Sequence, residues 1–188
     1  MDALLIALLG CLLGEMGGKS QLLVLALATR YNRNGAIIVG IVLAAIANAA
    51  LSALAGAWIG PMLGPDARLL FMALSILFLG AGLFWPARQP DVLSGWRLGA
   101  FFTTAIGLFI LSFGEGPQFL ILGIATRTAD PWLAGIGGAI GVIAALVPVV
   151  LGRDHLLAAL PLRAVRWGGG VVMLITGALM GLSAVGLL

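Results

Sequence analysis

Six stretches of the chain, residues 2–28, 36–60, 68–85, 98–125, 132–151 and 164–187, are long and apolar enough to cross a bilayer, a crossing that takes about 20 mostly apolar residues as helix. Inside hydrocarbon every backbone N–H and C=O must be satisfied by the protein itself, so a span is either a helix or a strand of a closed barrel. The alternating segments of about ten residues that a barrel requires are absent. The runs are separated by TRYNRNG, GPMLGPDAR, WPARQPDVLSGWR, TRTADP and GRDHLLAALPLR. Each of these breaks is short, so neighbouring helices are antiparallel. The expected fold is an all-α integral membrane protein with six transmembrane helices.

Composition excludes a water-soluble alternative. With 62% hydrophobic and 9% charged residues and a mean hydropathy of +1.17, the chain has too little polar surface to cover a soluble globule. Lys and Arg outnumber Asp and Glu by only 10 to 7, and the basic residues are scattered among short loops. That pattern speaks of orientation in a membrane and not of nucleic-acid binding. Arg30, Arg33, Arg88, Arg97, Arg153, Arg163 and Arg166 fall on one side, Arg68 and Arg127 on the other. The arginine-rich side is expected to be cytoplasmic, which places both termini in the periplasm if the membrane is a bacterial inner membrane. Trp58, Trp85, Trp96, Trp132 and Trp167 lie near span ends, where amphipathic rings anchor a protein at the interface. A single cysteine, Cys11, excludes an internal disulfide. The LLGC ending there faintly resembles a lipoprotein cleavage site, but no basic segment precedes it, so the N-terminus is read as a retained span.

Displacing the chain against itself by 97 residues aligns its least common positions: Gly10 with Gly107, Gly17 with Gly114, Gln21 with Gln118, the ATR of Ala28–Arg30 with the ATR of Ala125–Arg127, Gly40 with Gly137, and Gly80 with Gly177. Residues 1–86 and 98–188 thus read as two three-helix repeats joined by a cytoplasmic linker, 87–97. An odd number of spans per repeat makes the copies inverted, the pattern of secondary transporters whose site lies at the midplane between repeats.

Two polar clusters interrupt the first and fourth runs in equivalent places: Glu15-Met-Gly-Gly-Lys-Ser-Gln21 and Ser112-Phe-Gly-Glu-Gly-Pro-Gln118. An ionisable side chain at that depth costs at least about 2.5–3.5 kcal/mol, so something must offset it. Gly17 and Gly18 in one cluster, and Gly114, Gly116 and Pro117 in the other, are expected to break the helices and free carbonyls toward a cavity. Glu15 and Lys19, four apart on one helical face, are placed to form an intrahelical ion pair. Glu115 has no basic residue within its own helical turn. Glu15 and Glu115, with Ser20, Gln21, Ser112 and Gln118, supply two carboxylates and several neutral oxygens, the donor set that hard divalent cations prefer. Two carboxylates could exchange one divalent ion for two protons at nearly constant buried charge.

At these residues the chain resembles the Gdt family of calcium/manganese:proton antiporters, six-helix membrane proteins whose inverted halves each carry an E-x-G-D-[KR]-[ST]-Q motif. The likeness covers essentially the whole chain, including the ATR triplet after each motif. It implies that the motif acids bind the cation and the exchanged protons. By position Glu15, Lys19, Ser20 and Gln21 match the first motif; Glu115, standing at the aspartate's place, and Gln118 match the second. Gly18 replaces the first aspartate, Ser112 the second glutamate, Gly116 the basic residue and Pro117 the hydroxyl residue. Four acids are reduced to two, which implies weaker binding or a different ion.

The resulting expectation is a secondary carrier exporting manganese or calcium against protons, with Glu15 and Glu115 as metal ligands, Lys19 balancing their charge, and no cofactor beyond the transported ions. The alternatives are a carrier of another small ion or solute, and a membrane partner protein that no longer transports; homo-oligomerisation stays open. Nothing in the chain resembles a nucleophile with its base, a metal-binding histidine pair or a nucleotide loop, so no enzyme is expected. Asn48, in the second run, suits an interhelical hydrogen bond. His155 beside Asp154 is expected in a solvated loop. Gly56/Gly60/Gly64, Gly137/Gly141 and Gly177/Gly181 have the spacing of close helix packing.

Overall fold

Every apolar run is helical, and the two that carry polar clusters are broken at those clusters. The computed structural model describes residues 1–86, 90, 91, 93, 95–159 and 161–187; Arg88, counted above with the cytoplasmic arginines, lies outside them. In chain order the helices are α1 (Asp2–Glu15), α2 (Lys19–Tyr31), α3 (Asn34–Ile59), α4 (Pro65–Phe84), α5 (Gly99–Ser112), α6 (Gly116–Ala125), α7 (Pro131–Ala159) and α8 (Leu162–Ala184), with one 3₁₀ turn at Gly60–Met62 after α3. No strand occurs among the described residues. Four helices are long and apolar enough to span a membrane. The pairs α1–α2 and α5–α6, bent by 65° and 70°, raise the number to six if each is one broken span. The segment GRDHLLAA, expected within a loop holding His155, continues α7 to Ala159 beyond a non-helical Arg153 (φ 47, ψ −137).

The two halves share one contact pattern. α1 packs on α7 as α5 packs on α3, α2 on α7 as α6 on α3, and α1 on α6 as α5 on α2, while α3–α7 and α4–α8 pair across the molecule. The correspondence fails in one place. α4 packs on α6, but among the described residues α8 makes no comparable contact with α2.

In a membrane, helices associate through close packing of small residues, since lipid tails are as apolar as leucine. A methyl group at Gly137 or Gly141 would collide with the carbonyls of Leu4 and Leu8, so these glycines let α7 lie directly on α1. Gly56 and Gly60 press on Ala125 and Thr126, and Gly177 on Leu77, whereas Gly64 faces open space. Two apolar cores result. One is built around Ala7, Ile76, Leu120 and Ile121, the other around Leu23, Ile37, Leu108 and Leu146, and the helix breaks lie between them. Leu5, Leu9, Leu43, Ile46 and Ile175 point outward, as a lipid-facing surface requires. Trp58, Trp85, Trp132 and Trp167 are exposed near helix ends, where an interfacial belt would lie.

Candidate functional site

The breaks are two copies of one turn. Met16 (φ −63, ψ 121) precedes Gly17 (φ +67), and the Gly18 N–H donates to the Glu15 carbonyl at 3.0 Å. Phe113 (φ −64, ψ 118) precedes Gly114 (φ +78), and the Glu115 N–H donates to the Ser112 carbonyl at 3.1 Å. These are type II turns, whose third residue needs positive φ and hence glycine. Each is fastened by its glutamine: Gly17 N–H donates to Gln21 Oε1 (2.8 Å) and Gly114 N–H to Gln118 Oε1 (2.9 Å). The motif's terminal glutamine therefore spends its oxygen on the turn.

In each half the residue before the turn and the residue after it serve different spaces. Glu15 and Ser112, the first residues of the two turns, line a narrow pocket of about 20 Å³ together with Asn48, Gln118 and apolar groups from α3, α5 and α7. Gly18 and Glu115, the last residues of the turns, line an open cavity of about 400 Å³ with Lys19, Leu79, Trp85 and Arg166. A neighbouring open cavity of about 390 Å³, reaching Gln21, lies between α2 and α8. It fills the gap left by the contact that has no counterpart.

Lys19 does not pair with Glu15. The turn between them ends α1 and starts α2 along a new axis, so spacing by four no longer puts them on one face. Lys19 Nζ instead meets Glu115 Oε1 at 3.2 Å, joining the two halves, with side chains 48% and 24% exposed. Glu115 is thus paired, although not within its own helix. It occupies the N-cap position of α6, where the helix dipole favours negative charge. Glu15 is 3% exposed and near enough to Glu115 for the two carboxylates to repel. Ser20, fully buried, neighbours Glu15 across the turn. Cys11 of α1 points its thiol at the Pro117 carbonyl (3.6 Å), so the second break rests against the first half. The described residues contain no cluster of three or more His, Cys, Asp or Glu. Any ion held here would rely on two carboxylates and neutral oxygens.

Arg166, which the sequence reading used only to count charge by side, takes a part at the first break. It lies inside α8 and donates to the carbonyls of Met16 (3.1 Å), Gly82 (3.3 Å) and Trp85 (2.8 Å). The carbonyl freed by the first break, expected to face a cavity, is taken by this guanidinium. Its signal was present: Arg166 falls inside the apolar run drawn from residue 164. The ATR arginines also differ, Arg30 donating to the carbonyls of Leu93 (2.6 Å) and Trp96 (3.1 Å) and Arg127 to the Met72 sulfur (3.5 Å).

A family model described as "Divalent cation/proton antiporter GDT1" matches residues 3–91 and 100–187. A protein of Vibrio cholerae serotype O1, described as "Putative manganese exporter", is 34% identical over 153 residues, covering 80% of this chain and 76% of its own. No solved structure matches.

Proposed function

The chain belongs to the GDT1 family of divalent cation/proton antiporters, and from that premise we propose that it is a secondary-active exporter of a divalent cation, manganese before calcium, in exchange for protons. The preference for manganese follows the description of the Vibrio relative. The observation that carries the reading is the Lys19–Glu115 ion pair at 3.2 Å, standing in an open cavity with Glu15 buried behind it.

In this reading the ammonium holds the cation's place. A divalent ion entering the open cavity displaces Lys19 from Glu115 and recruits the Glu15 carboxylate, whose proton leaves. Two carboxylates then balance the double charge, while the displaced Lys19 ammonium, about half exposed, is left to the solvent of the open cavity. Ser20 and Ser112 add neutral oxygens, while Gln21 and Gln118 hold the turns that aim the acids.

The two repeats, residues 1–86 and 98–188 with 87–97 between them, act as inverted units. The asymmetry of packing supports alternating access: α4 lies on α6 while α8 stands off α2, and the opposite arrangement would close the present cavities and open their counterparts. With the arginine-rich ends in the cytoplasm, the cavities face the compartment from which export starts.

Proteoliposomes with an imposed pH gradient test this directly. The parent should move manganese with opposing proton flux, and Glu15→Gln and Glu115→Gln should each lose it. Cation flux undiminished in both variants would refute the assignment of the site.

A further inference from the structure

The two open cavities beside the first break differ in charge. The one that holds Glu115 and Lys19 carries both signs. Its neighbour between α2 and α8, of about 390 Å³, is lined by Arg163 and Arg166 and by no acid. The two arginines stand three apart in the first turns of α8, a spacing that puts them on one helical face. Among the described residues neither has a carboxylate partner. The carbonyls of Met16, Gly82 and Trp85 fix the Arg166 guanidinium in place but bring no negative charge to balance it. Two uncompensated cations at the border of hydrocarbon call for an anion.

The rest of the lining says what kind of anion. Trp85 and Trp167 flank the arginines and are exposed, as rings at headgroup level are; Phe84 packs edge-on against Trp167, with ring centroids 5.3 Å apart. Leu22 of α2, Leu83 of α4 and Leu162 of α8 make the other walls apolar. A free inorganic anion loses hydration against such walls and gains nothing from them. An anionic phospholipid uses both parts, its phosphate on the arginines and its chain on the leucines. The volume falls within the roughly 300–1,000 Å³ of small-molecule sites, and the cleft exists because α8 does not pack on α2.

We propose that this cavity is a binding site for one anionic phospholipid, its phosphate paired with Arg163 and Arg166 and an acyl chain lying between α2 and α8. Basic pockets between helices near a membrane surface recognise lipid headgroups in this way. Glu115 and Lys19 line only the neighbouring cavity, so the lipid and the cation have separate sites. A lipid seated here holds α8 off α2 and favours the present arrangement over its opposite, since a ligand shifts an equilibrium toward the state it binds. That effect rests on the alternating-access reading; the binding itself stands on the cavity and its charges.

Native mass spectrometry of the full chain in detergent tests this, with short-chain phosphatidylglycerol, phosphatidylcholine or inorganic phosphate as the titrant. At about fivefold in affinity per arginine near an anionic headgroup, the parent should retain one phosphatidylglycerol with a preference of about 25-fold over phosphatidylcholine. Arg163→Gln leaves the carbonyl bonds of Arg166 intact and should reduce that preference to about fivefold. Leu22→Trp fills the cleft without touching charge and should displace both lipids. Equal affinity for the two lipids in the parent, or a preference undiminished in Arg163→Gln, overturns the proposal. Phosphatidylglycerol binding that survives Leu22→Trp unchanged, or that inorganic phosphate matches at the same concentration, marks a site for a free anion and overturns it as well. In proteoliposomes at saturating manganese, turnover should fall as phosphatidylglycerol replaces phosphatidylcholine in the parent and lose that dependence in Arg163→Gln. The same dependence in both refutes the effect on α8 and leaves the binding result in force. Should the parent move no cation at all, the antiport reading fails and mass spectrometry still decides for or against the lipid.

Discussion

Replacing Lys19 by methionine removes the ammonium that neutralises Glu115 while keeping a side chain of similar length. Two opposite charges about 4 Å apart attract by roughly 1 kcal/mol in bulk water and 4 kcal/mol near a protein surface. The separation here is 3.2 Å, but Lys19 is 48% exposed, so solvent screening holds the pair to about 1 kcal/mol or less. An incoming cation must break this pair before it can use Glu115. Lys19→Met should therefore lower the KM for manganese by up to about fivefold, at roughly tenfold per 1.4 kcal/mol. Turnover should fall as well, because no internal cation remains to displace the ion on release. The assay is initial-rate manganese uptake into proteoliposomes at fixed pH gradient, read by a dye inside the vesicles, at low and high salt. A KM that rises or does not change would refute the idea that lysine competes with the cation, and would make Lys19 a structural brace.

The turns supply a second expectation. Alanine in the left-handed region costs about 1–2 kcal/mol; Gly17→Ala should lose more stability than Gly114→Ala, because the new methyl also meets Arg166 Cδ in the first turn and open space in the second, as thermal unfolding in detergent will show. Gln21→Leu should destabilise more than Gln118→Leu by about 1 kcal/mol, the net worth of the one extra hydrogen bond to Ala145; equal melting temperatures would contradict the broken equivalence. Arg166→Met should cost about 1–3 kcal/mol through three lost carbonyl contacts, and Arg166→Lys should not restore the parent's melting temperature, because an ammonium lacks the guanidinium's fork of donors.

The sequence made the spans and the breaks legible for a physical reason. Hydropathy is averaged over some twenty residues, so the run from 98 to 125 declares itself despite Glu115 within it, and paired or closely spaced glycines announce a turn whichever helices surround it. What escaped was direction. Glu15 and Lys19 look like helical neighbours on the assumption of one continuous helix, yet Gly17 at φ +67 redirects the axis and sends Lys19 to the other half. Asn48 read as an interhelical bond, which its Nδ2 makes weakly with Phe109; its Oδ1 is buried without a partner, which nothing local in the sequence announces. Arg166 counted only toward orientation, because its three carbonyl partners, Met16, Gly82 and Trp85, come from distant parts of the chain that no local pattern brings together.

The paired type II turns have a consequence for how such a chain tolerates loss. Because each turn sends its first residue to the narrow pocket and its last to the wide one, each compartment is furnished by both halves, and either half can stock it. The present chain keeps one acid per compartment by retaining the leading position from one copy and the trailing position from the other. The two positions that hold no acid, Gly18 and Ser112, fall in different compartments, so neither compartment is left without a carboxylate.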